Sequence, residues 1–197
     1  MPFSLYLASG SPRRKELLSQ IGLKYKQILP TVDETKEENE TPESYVKRLA
    51  KLKALAGQKM LLQAEQKPVL GADTIVVLDG RVFGKPKDKD EAFAMLMALS
   101  GHTHQVMTAV AVVTGFSEKV VCSCSKVSFR EIDSDEARTY SETGEPMDKA
   151  GAYAVQGIGS IFVKKIEGSY SGIVGLPLME TATLLREIGV PILSSVP

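Results

Sequence analysis

The chain has 197 residues, of which 43% are hydrophobic and 24% charged, as in an ordinary soluble globular domain with its own core. Its 24 Lys and Arg residues balance 24 Asp and Glu residues, which argues against bulk electrostatic binding to nucleic acid or an anionic membrane. The sequence has no apolar run of transmembrane length and no signal-peptide pattern at its N-terminus, so we expect a cytoplasmic protein.

Apolar periodicity and turn residues predict helices and strands in alternation. In chain order we expect a strand at 3–8, a helix at 12–21, a strand ending near 30, a helix at 42–60, a strand pair at 68–86 that turns at 79–80, a helix at 88–100, a strand pair at 104–129, a helix at 133–144, a loop and strand at 150–170, and a helix at 176–189. This order predicts one α/β domain over residues 1–197, with a mixed twisted sheet flanked by helices in two lobes around a cleft.

Arg13 and Arg14 lie at the predicted start of a helix, a position that favours anions over cations. Ser11 and Pro12 have the types preferred at the N-cap and at the first helical position, and Arg13 and Arg14 follow directly. A solvated helix start would tolerate both arginines at small cost. Alternatively, the backbone N–H groups, the two guanidinium groups and the hydroxyl groups of Ser9 and Ser11 form a phosphate site.

Lys53 lies beside an apolar stripe of the helix predicted at 42–60. At 100° per residue the stripe consists of Tyr45, Leu49, Leu52 and Ala56. A lysine at the edge of a core face usually extends its ammonium group to water. The alternative is an ammonium group that points into a cleft.

Asp73 and Thr74 interrupt a run, "PVLGADTIVVL", that otherwise indicates a buried strand. An unpaired buried carboxylate is costly, so Asp73 must cap a turn, pair with a cation or bind a metal. We expect either a turn-stabilising residue after Gly71 or a carboxylate at a strand end, where α/β sheets bind ligands. Thr74 then faces the opposite side of the strand or the mouth of the site.

Polar residues also occur among glycines in "TGEPMDKAGAYAVQGIG", residues 143–159, which is either an ordinary long loop or a place where backbone approaches a ligand. With Lys85 in "FGKP" and Glu34 after Pro30, the chain offers both cations and carboxylates. These residues are Arg13, Arg14, Lys53, Lys85 and Lys149, and Glu34, Asp73, Glu145 and Asp148. The combination suits a polyphosphate with a divalent metal, because cations stabilise phosphoryl oxygens and carboxylates hold metal or accept a proton.

Eight segments in order resemble the Maf family of nucleotide pyrophosphatases. They are "LASGSPRR", "VDE", "YVKRLAKLKA", "GADTIVV", "GKP", "LSGHTHQVMTAV", "TGEPMDKAGAYAVQG" and "GSYSGIVGLPL", and they span nearly the whole chain. The resemblance implies a Maf/ITPase-like fold and a homodimer. It also implies hydrolysis of a nucleoside triphosphate to the monophosphate and pyrophosphate with a divalent cation, Mg²⁺ or Mn²⁺, and no nucleic-acid or membrane partner.

The resemblance also assigns roles to residues. It makes Asp73 the proton acceptor, with Glu34 and Asp73 as candidate metal ligands. It places Arg13, Thr74 and Gln156 at positions linked to base selection. The positions that match the conserved pocket are Ser9, Arg14, Glu34, Lys53 and Lys85.

The segment "AYAVQG", which contains Gln156, is similar to the branch of the family that acts on dTTP and UTP. A glutamine side chain has a donor and an acceptor, and can therefore pair with the O4 and N3–H edge of uracil or thymine. The implied substrates are dTTP and UTP, or modified pyrimidine nucleotides. The alternatives are 7-methyl-GTP or other modified nucleotides as substrate, or a nucleotide-sensing regulator of cell division and septation.

Overall fold

The computed structural model describes residues 3–61 and 67–192, so the ends of the predicted 1–197 domain lie outside the described residues. The α-helices are α1 Pro12–Gln20, α2 Pro42–Lys59, α3 Lys89–Leu99, α4 Ser134–Glu142, α5 Tyr170–Val174 and α6 Leu178–Glu187. The strands are β1 Leu5–Ala8, β2 Tyr25–Ile28, β3 Val69–Leu78, β4 Arg81–Phe83, β5 Thr103–Val113, β6 Glu118–Phe129 and β7 Val163–Glu167. The predicted alternation is confirmed, and three 3₁₀ turns at 145–148, 150–152 and 158–162 occupy the glycine-rich region.

The strands form one mixed sheet in the order β2-β1-β3-β5-β6-β7, with β4 paired to β3. Strand β1 runs parallel to β2 and β3, whereas β3–β4 and β6–β7 are antiparallel pairs. The predicted α/β class with a mixed, helix-flanked sheet is therefore confirmed. None of the helices in the described ranges has both the length and the hydropathy needed to cross a membrane.

The described part of the chain forms two compact units. The first contains the described residues up to Asp73, Thr108–Ser123 and the described residues from Gly175 onward. The second contains Thr74–Met107 and Cys124–Val174. Strands β3, β5 and β6 each contribute residues to both units.

In the first unit, small residues bring α2 close to the sheet. A Cβ atom on Gly71 of β3 would lie 2.4 Å from the carbonyl oxygen of Ala50 and 2.6 Å from the backbone nitrogen of Ala54. Both alanines are fully buried on α2. Glycine is therefore required at position 71, because any side chain there would collide with helix backbone.

The buried face of α2 differs from the predicted stripe. The buried positions are Val46, Leu49, Ala50, Ala54 and Gly57. This face is rotated by roughly 100° about the helix axis from the stripe predicted through Leu52 and Ala56, which are half-buried. The prediction was wrong because it counted large apolar residues, whereas the helix packs through its smallest ones. Lys53 consequently lies within the buried face, between Val46 and Leu49 around the helix axis, and not at its edge.

In the second unit, an aromatic cluster surrounds a buried histidine. His104 is 1% exposed, its ring meets Phe129 edge-on at 4.8 Å between centroids, and its Nε2 lies 2.9 Å from the hydroxyl oxygen of Tyr153. Its Nδ1 has no hydrogen-bond partner within the described residues. Burial lowers the pKa of His104 from 6.5 to about 4, so the ring is neutral at pH 7.

Candidate active site

The carboxyl ends of the parallel strands define where the candidate residues gather in the first unit. Ala8 at the end of β1 pairs with Ile28 of β2 and with Gly71 of β3. Ligands of α/β sheets bind beyond such strand ends. Ser9 follows β1 directly, and Asp73 lies two residues beyond Gly71. The register thus places Ser9 and Asp73 close to the carboxyl end of β1, while β3 itself continues past Asp73.

The start of α1 has the predicted capping geometry. Ser11 is the N-cap and Pro12 the first helical residue, and the Ser11 side chain accepts a hydrogen bond from the backbone N–H of Arg14 at 3.4 Å. The backbone N–H of Ser11 donates to Oγ of Ser9 at 3.2 Å. The turn from β1 into α1 is therefore fixed by the two serines that the sequence singled out.

Arg14 is held in place by two hydrogen bonds from its side chain. Its Nη1 donates to Oγ of Ser9 at 3.1 Å, and its Nε donates to the carbonyl oxygen of Gly175 at 2.8 Å. Burial lowers the pKa of Arg14 and the positive charge of Arg13 adds to this, whereas Asp73 and Glu34 act in the opposite direction. The alternative of an arginine that simply extends into solvent at a helix start therefore does not apply to Arg14.

Lys53 joins the two candidate metal ligands. Its Nζ lies 2.6 Å from Oδ1 of Asp73 and 2.7 Å from Oε1 of Glu34. The Lys53 and Asp73 side chains are only 15% and 12% exposed, whereas that of Glu34 is 57% exposed. The position of Lys53 on the buried face of α2 thus aims its ammonium group at the sheet and not at water.

Tyr45 of α2 fixes the backbone beside this ion-pair network. Its hydroxyl group donates to the carbonyl oxygen of Glu34 at 2.8 Å. Partial burial raises the pKa of Tyr45, and the negative charges of Asp73 and Glu34 raise it further. The hydroxyl group is therefore protonated at neutral pH and acts as a donor.

The expectation that Asp73 stabilises a turn or ends a strand was wrong. Strand β3 continues without a break from Val69 to Leu78, and Asp73 lies in its middle. The strand can continue because the Lys53 ammonium group pairs with the carboxylate, which is one of the three solutions that the sequence left open. Thr74, the next residue, is half-buried and belongs to the second unit.

Arg48 is a structural residue of this region that the sequence analysis did not identify. Its Nε and Nη2 donate to the two carboxylate oxygens of Glu40 at 2.7 and 2.8 Å, and Nη2 also donates to the carbonyl oxygen of Thr35 at 2.9 Å. The hydrogen bonds from Arg48 lower the pKa of Glu40. The segment after Glu34 is thereby tied to α2, and the available signal was an arginine eight residues after the end of an acidic loop.

Lys85, a predicted pocket residue, and Gln156, a predicted base-selection residue, both belong to the second unit and are exposed. The backbone N–H of Gly151 donates to the carbonyl oxygen of Gly84 at 3.0 Å. This bond ties the segment just before Lys85 to the glycine-rich loop that leads to Gln156.

Three further candidates from the glycine-rich loop make local contacts. Nζ of Lys149 donates to the carbonyl oxygen of Glu145 at 3.0 Å and pairs with the carboxylate of Asp148. The carboxylate of Glu145 accepts hydrogen bonds from a tyrosine and from two backbone N–H groups of the same unit. These contacts organise the loop itself.

The donor set for a metal consists of two carboxylates. Across residues 3–61 and 67–192 no group of three or more His, Cys, Asp or Glu side chains could hold a metal ion. Glu34 and Asp73, joined through Lys53, are hard oxygen donors. Mg²⁺ is commonly held by one or two carboxylates while substrate phosphates and waters complete its octahedron. The two-carboxylate set fits a metal that shares its coordination with a polyphosphate.

Comparison with known proteins gives a consistent result. A family model described as "Maf-like protein" matches residues 4–188. A protein of Saccharophagus degradans named dTTP/UTP pyrophosphatase is 53% identical over 189 residues, which cover 95% of this chain and 90% of the relative. Proteins of the same name from Aliivibrio fischeri and Salmonella typhimurium are 49% and 50% identical, covering 95% and 92% of this chain and 99% and 91% of their own lengths.

Proposed function

This chain belongs to the Maf family, and we propose that it hydrolyses dTTP and UTP to the nucleoside monophosphate and pyrophosphate. One observation carries the proposal for the chemistry: the ammonium group of Lys53, whose side chain is only 15% exposed, lies 2.6 and 2.7 Å from two carboxylates. The names of relatives at about 50% identity carry the proposal for the substrate.

The triphosphate binds at the start of α1 in this proposal. The backbone N–H groups of the first turn and the guanidinium groups of Arg13 and Arg14 attract its negative charge. Arg14 is preorganised, because Ser9 and Gly175 fix its orientation before the substrate arrives. Lys53 and Lys85 are the further cations that we propose for the triphosphate.

Asp73 is the proton acceptor in this mechanism. A water molecule attacks the α-phosphorus, the bond from that phosphorus to the bridging oxygen breaks, and pyrophosphate leaves with the bond electrons. The water's proton passes to the Asp73 carboxylate. Lys53 holds that carboxylate in one orientation at 2.6 Å, so the acceptor is positioned before the reaction begins.

Glu34 and Asp73 would hold the divalent cation, Mg²⁺ or Mn²⁺, together with phosphate oxygens. When bound, such an ion neutralises charge on the phosphoryl groups and acidifies a coordinated water. Lys53 lies between the two carboxylates and keeps them together. Tyr45 keeps the Glu34 backbone in register through its hydrogen bond to the carbonyl oxygen.

Gln156 selects the base, with Arg13 and Thr74 as further contributors. The amide of Gln156 is exposed, so its donor and acceptor are available to the O4 and N3–H edge of a pyrimidine. We further propose that residues 1–197 form one domain that acts in the cytoplasm as a homodimer, with neither nucleic acid nor membrane as a partner.

Pyrophosphate release from a panel of triphosphates tests the function. With Mg²⁺ or Mn²⁺ present we expect kcat/KM to be highest for dTTP and UTP. The variant Asp73→Asn should lower kcat by roughly 10²- to 10⁴-fold, the range that general acid–base groups contribute. Asp90→Asn is the matched control, because Asp90 is an 88% exposed side chain paired with Arg138.

Three outcomes would contradict the proposal. A preference for purine triphosphates or 7-methyl-GTP would refute the substrate assignment. Binding of dTTP without turnover would indicate a nucleotide sensor. Turnover by folded Asp73→Asn at the wild-type rate would exclude Asp73 as the proton acceptor.

A further inference from the structure

We propose that Glu145, acting with Tyr140, is a positioning residue for base selection, because the pair binds the backbone on both sides of Gln156. The inference rests on the proposed function, in which the Gln156 amide contacts the base. Glu145, Tyr140 and Gln156 all belong to the second unit. In the proposed function, neither the phosphate site nor the proton acceptor uses Glu145 or Tyr140.

Tyr140 holds the segment before Gln156. Its hydroxyl oxygen accepts a hydrogen bond from the backbone N–H of Ala154 at 3.2 Å, and its hydroxyl group donates to Oε1 of Glu145 at 2.7 Å. The tyrosine is 3% exposed, and its ring packs edge-on against Phe162 with 5.1 Å between centroids. The fixed hydroxyl group therefore anchors the backbone at Ala154, two residues before Gln156.

Glu145 holds the segment after Gln156. Its Oε2 accepts from the backbone N–H of Ile158 at 3.0 Å, and its Oε1 accepts from the backbone N–H of Gly159 at 3.0 Å. The chain passes directly over the carboxylate, since a Cβ atom on Gly157 would lie 2.2 Å from Oε2. One carboxylate thus binds the backbone two and three residues after Gln156.

Glu145 is ionised in this arrangement. Partial burial disfavours the charged form, but the hydrogen bonds from Gly159, Tyr140 and Ile158 and the charge of Lys149 outweigh burial and lower the pKa of Glu145. Hydrogen bonds to a charged acceptor are stronger than neutral ones. The anchors on both sides of Gln156 therefore share one charged group.

This arrangement has a consequence for recognition of the base. Gln156 is exposed between two anchored segments, in a loop whose glycines would otherwise allow many backbone conformations. An amide discriminates between bases only when its donor and acceptor are held in a fixed orientation, since both can otherwise rotate to suit a wrong edge. Glu145 and Tyr140 supply that orientation without contacting the nucleotide.

The test compares selectivity among four variants. Glu145→Gln retains one acceptor oxygen but turns an NH₂ group toward a backbone N–H. Tyr140→Phe removes only the hydroxyl group and keeps the ring packing, so it tests the same anchor if Glu145→Gln folds poorly. Gln156→Ala measures the full contribution of the amide. Glu142→Gln is the matched control, because Glu142 is an exposed α4 carboxylate whose partner is Lys89.

The readout is the ratio of kcat/KM for dTTP to that for dATP. We expect Glu145→Gln and Tyr140→Phe to lower the ratio about tenfold, mainly through a higher KM for dTTP, the size expected for losing a charge-assisted hydrogen bond. Glu142→Gln should leave it unchanged. In the Gln156→Ala background, adding Glu145→Gln should lower it no further. Amide hydrogen exchange at Ile158 and Gly159 should accelerate in Glu145→Gln.

The outcomes separate the two proposals. If Gln156→Ala lowers the ratio while folded Glu145→Gln and Tyr140→Phe keep it, the positioning role is refuted and the proposed function stands. An equal loss of kcat/KM for dTTP and dATP in these variants likewise refutes the positioning role, since that result indicates a merely structural role. If wild type lacks activity on dTTP, or Gln156→Ala keeps the wild-type ratio, the premise about the base fails and the inference fails with it.

Discussion

The substitution Gly71→Ala tests the packing that places Lys53 beside Asp73. The new Cβ atom would lie 2.4 Å from the carbonyl oxygen of Ala50 and 2.6 Å from the backbone nitrogen of Ala54. An ordinary contact begins at 3.4 Å, so α2 and β3 must separate by about 1 Å. Both colliding atoms are backbone, and no side-chain rotation relieves the clash.

The expected magnitude follows from this displacement. Overpacking of a core costs about 1–3 kcal/mol, and the reduced entropy of the unfolded chain returns about 0.4–1 kcal/mol for a Gly→Ala change. We therefore expect a net loss of about 1–2 kcal/mol, which lowers Tm by roughly 2–8 °C in a protein of this size. The displacement also moves the backbone of Lys53 relative to Asp73, whose carboxylate its Nζ contacts at 2.6 Å, and misplacement of a catalytic group by about 1 Å can lower kcat by about 10²-fold.

Thermal unfolding and pyrophosphate release measure the two effects in the same preparation. Gly115→Ala is the matched control, because among the described residues no atom beyond its chain neighbours lies within 4 Å of a Cβ at that position, and its φ is outside the left-handed region. We expect its Tm and kcat to stay close to wild type. A Gly71→Ala protein with the Tm and kcat of wild type would refute the reasoning that close packing of α2 on β3 sets the position of Lys53.

Two further predictions concern Lys53 and His104. Replacing Lys53 with methionine should lower kcat in steady-state assays by about 10²- to 10³-fold, because the cation beside Asp73 and Glu34 is lost. The control Lys51→Met, which removes an exposed ion pair with Glu118, should keep a kcat near that of wild type. Equal kcat values for the two variants would contradict the role of Lys53. In the unfolded chain His104 has the ordinary histidine pKa of 6.5, whereas burial in the folded protein lowers this pKa to about 4. Between these two pH values the unfolded state binds more protons, so the free energy of unfolding should decrease as the pH falls from 6.5 to about 4. The contribution of His104 to this decrease is about 3 kcal/mol. In urea titrations, the free energy of unfolding of His104→Asn should depend less on pH than that of wild type. Identical pH dependences would contradict the prediction.

Much of the fold could be read from the sequence, because local signals act over a few residues. The N-caps Ser11 and Thr41 are each followed by proline, and both start helices where the pattern predicted them. The turn at Asp79 and Gly80 joins β3 to β4 as predicted, since both residues have the positive φ that a tight hairpin needs. Alternating helices and strands were enough to predict the α/β class.

Parts of the site could not be read in this way, because they depend on which face of an element is buried. The face of α2 was misassigned, since large apolar residues are a poor guide when a helix packs through Ala50, Ala54 and Gly57. The place of Asp73 in mid-strand was also misjudged, because its partner Lys53 comes from an element twenty residues earlier. Sequence periodicity carries no information about such a partner.

The sequence by itself determined the elements, the fold class and the residue types available for polyphosphate chemistry, because propensities, caps and motifs are properties of short segments. Only the tertiary structure decided how those residues are used. The close approach of α2 to Gly71 turns Lys53 toward Asp73 and Glu34, and the passage of the loop over Glu145 anchors both sides of Gln156. Both outcomes depend on backbone segments distant in sequence fitting together within a few tenths of an ångström, which depends on the packing of the whole unit.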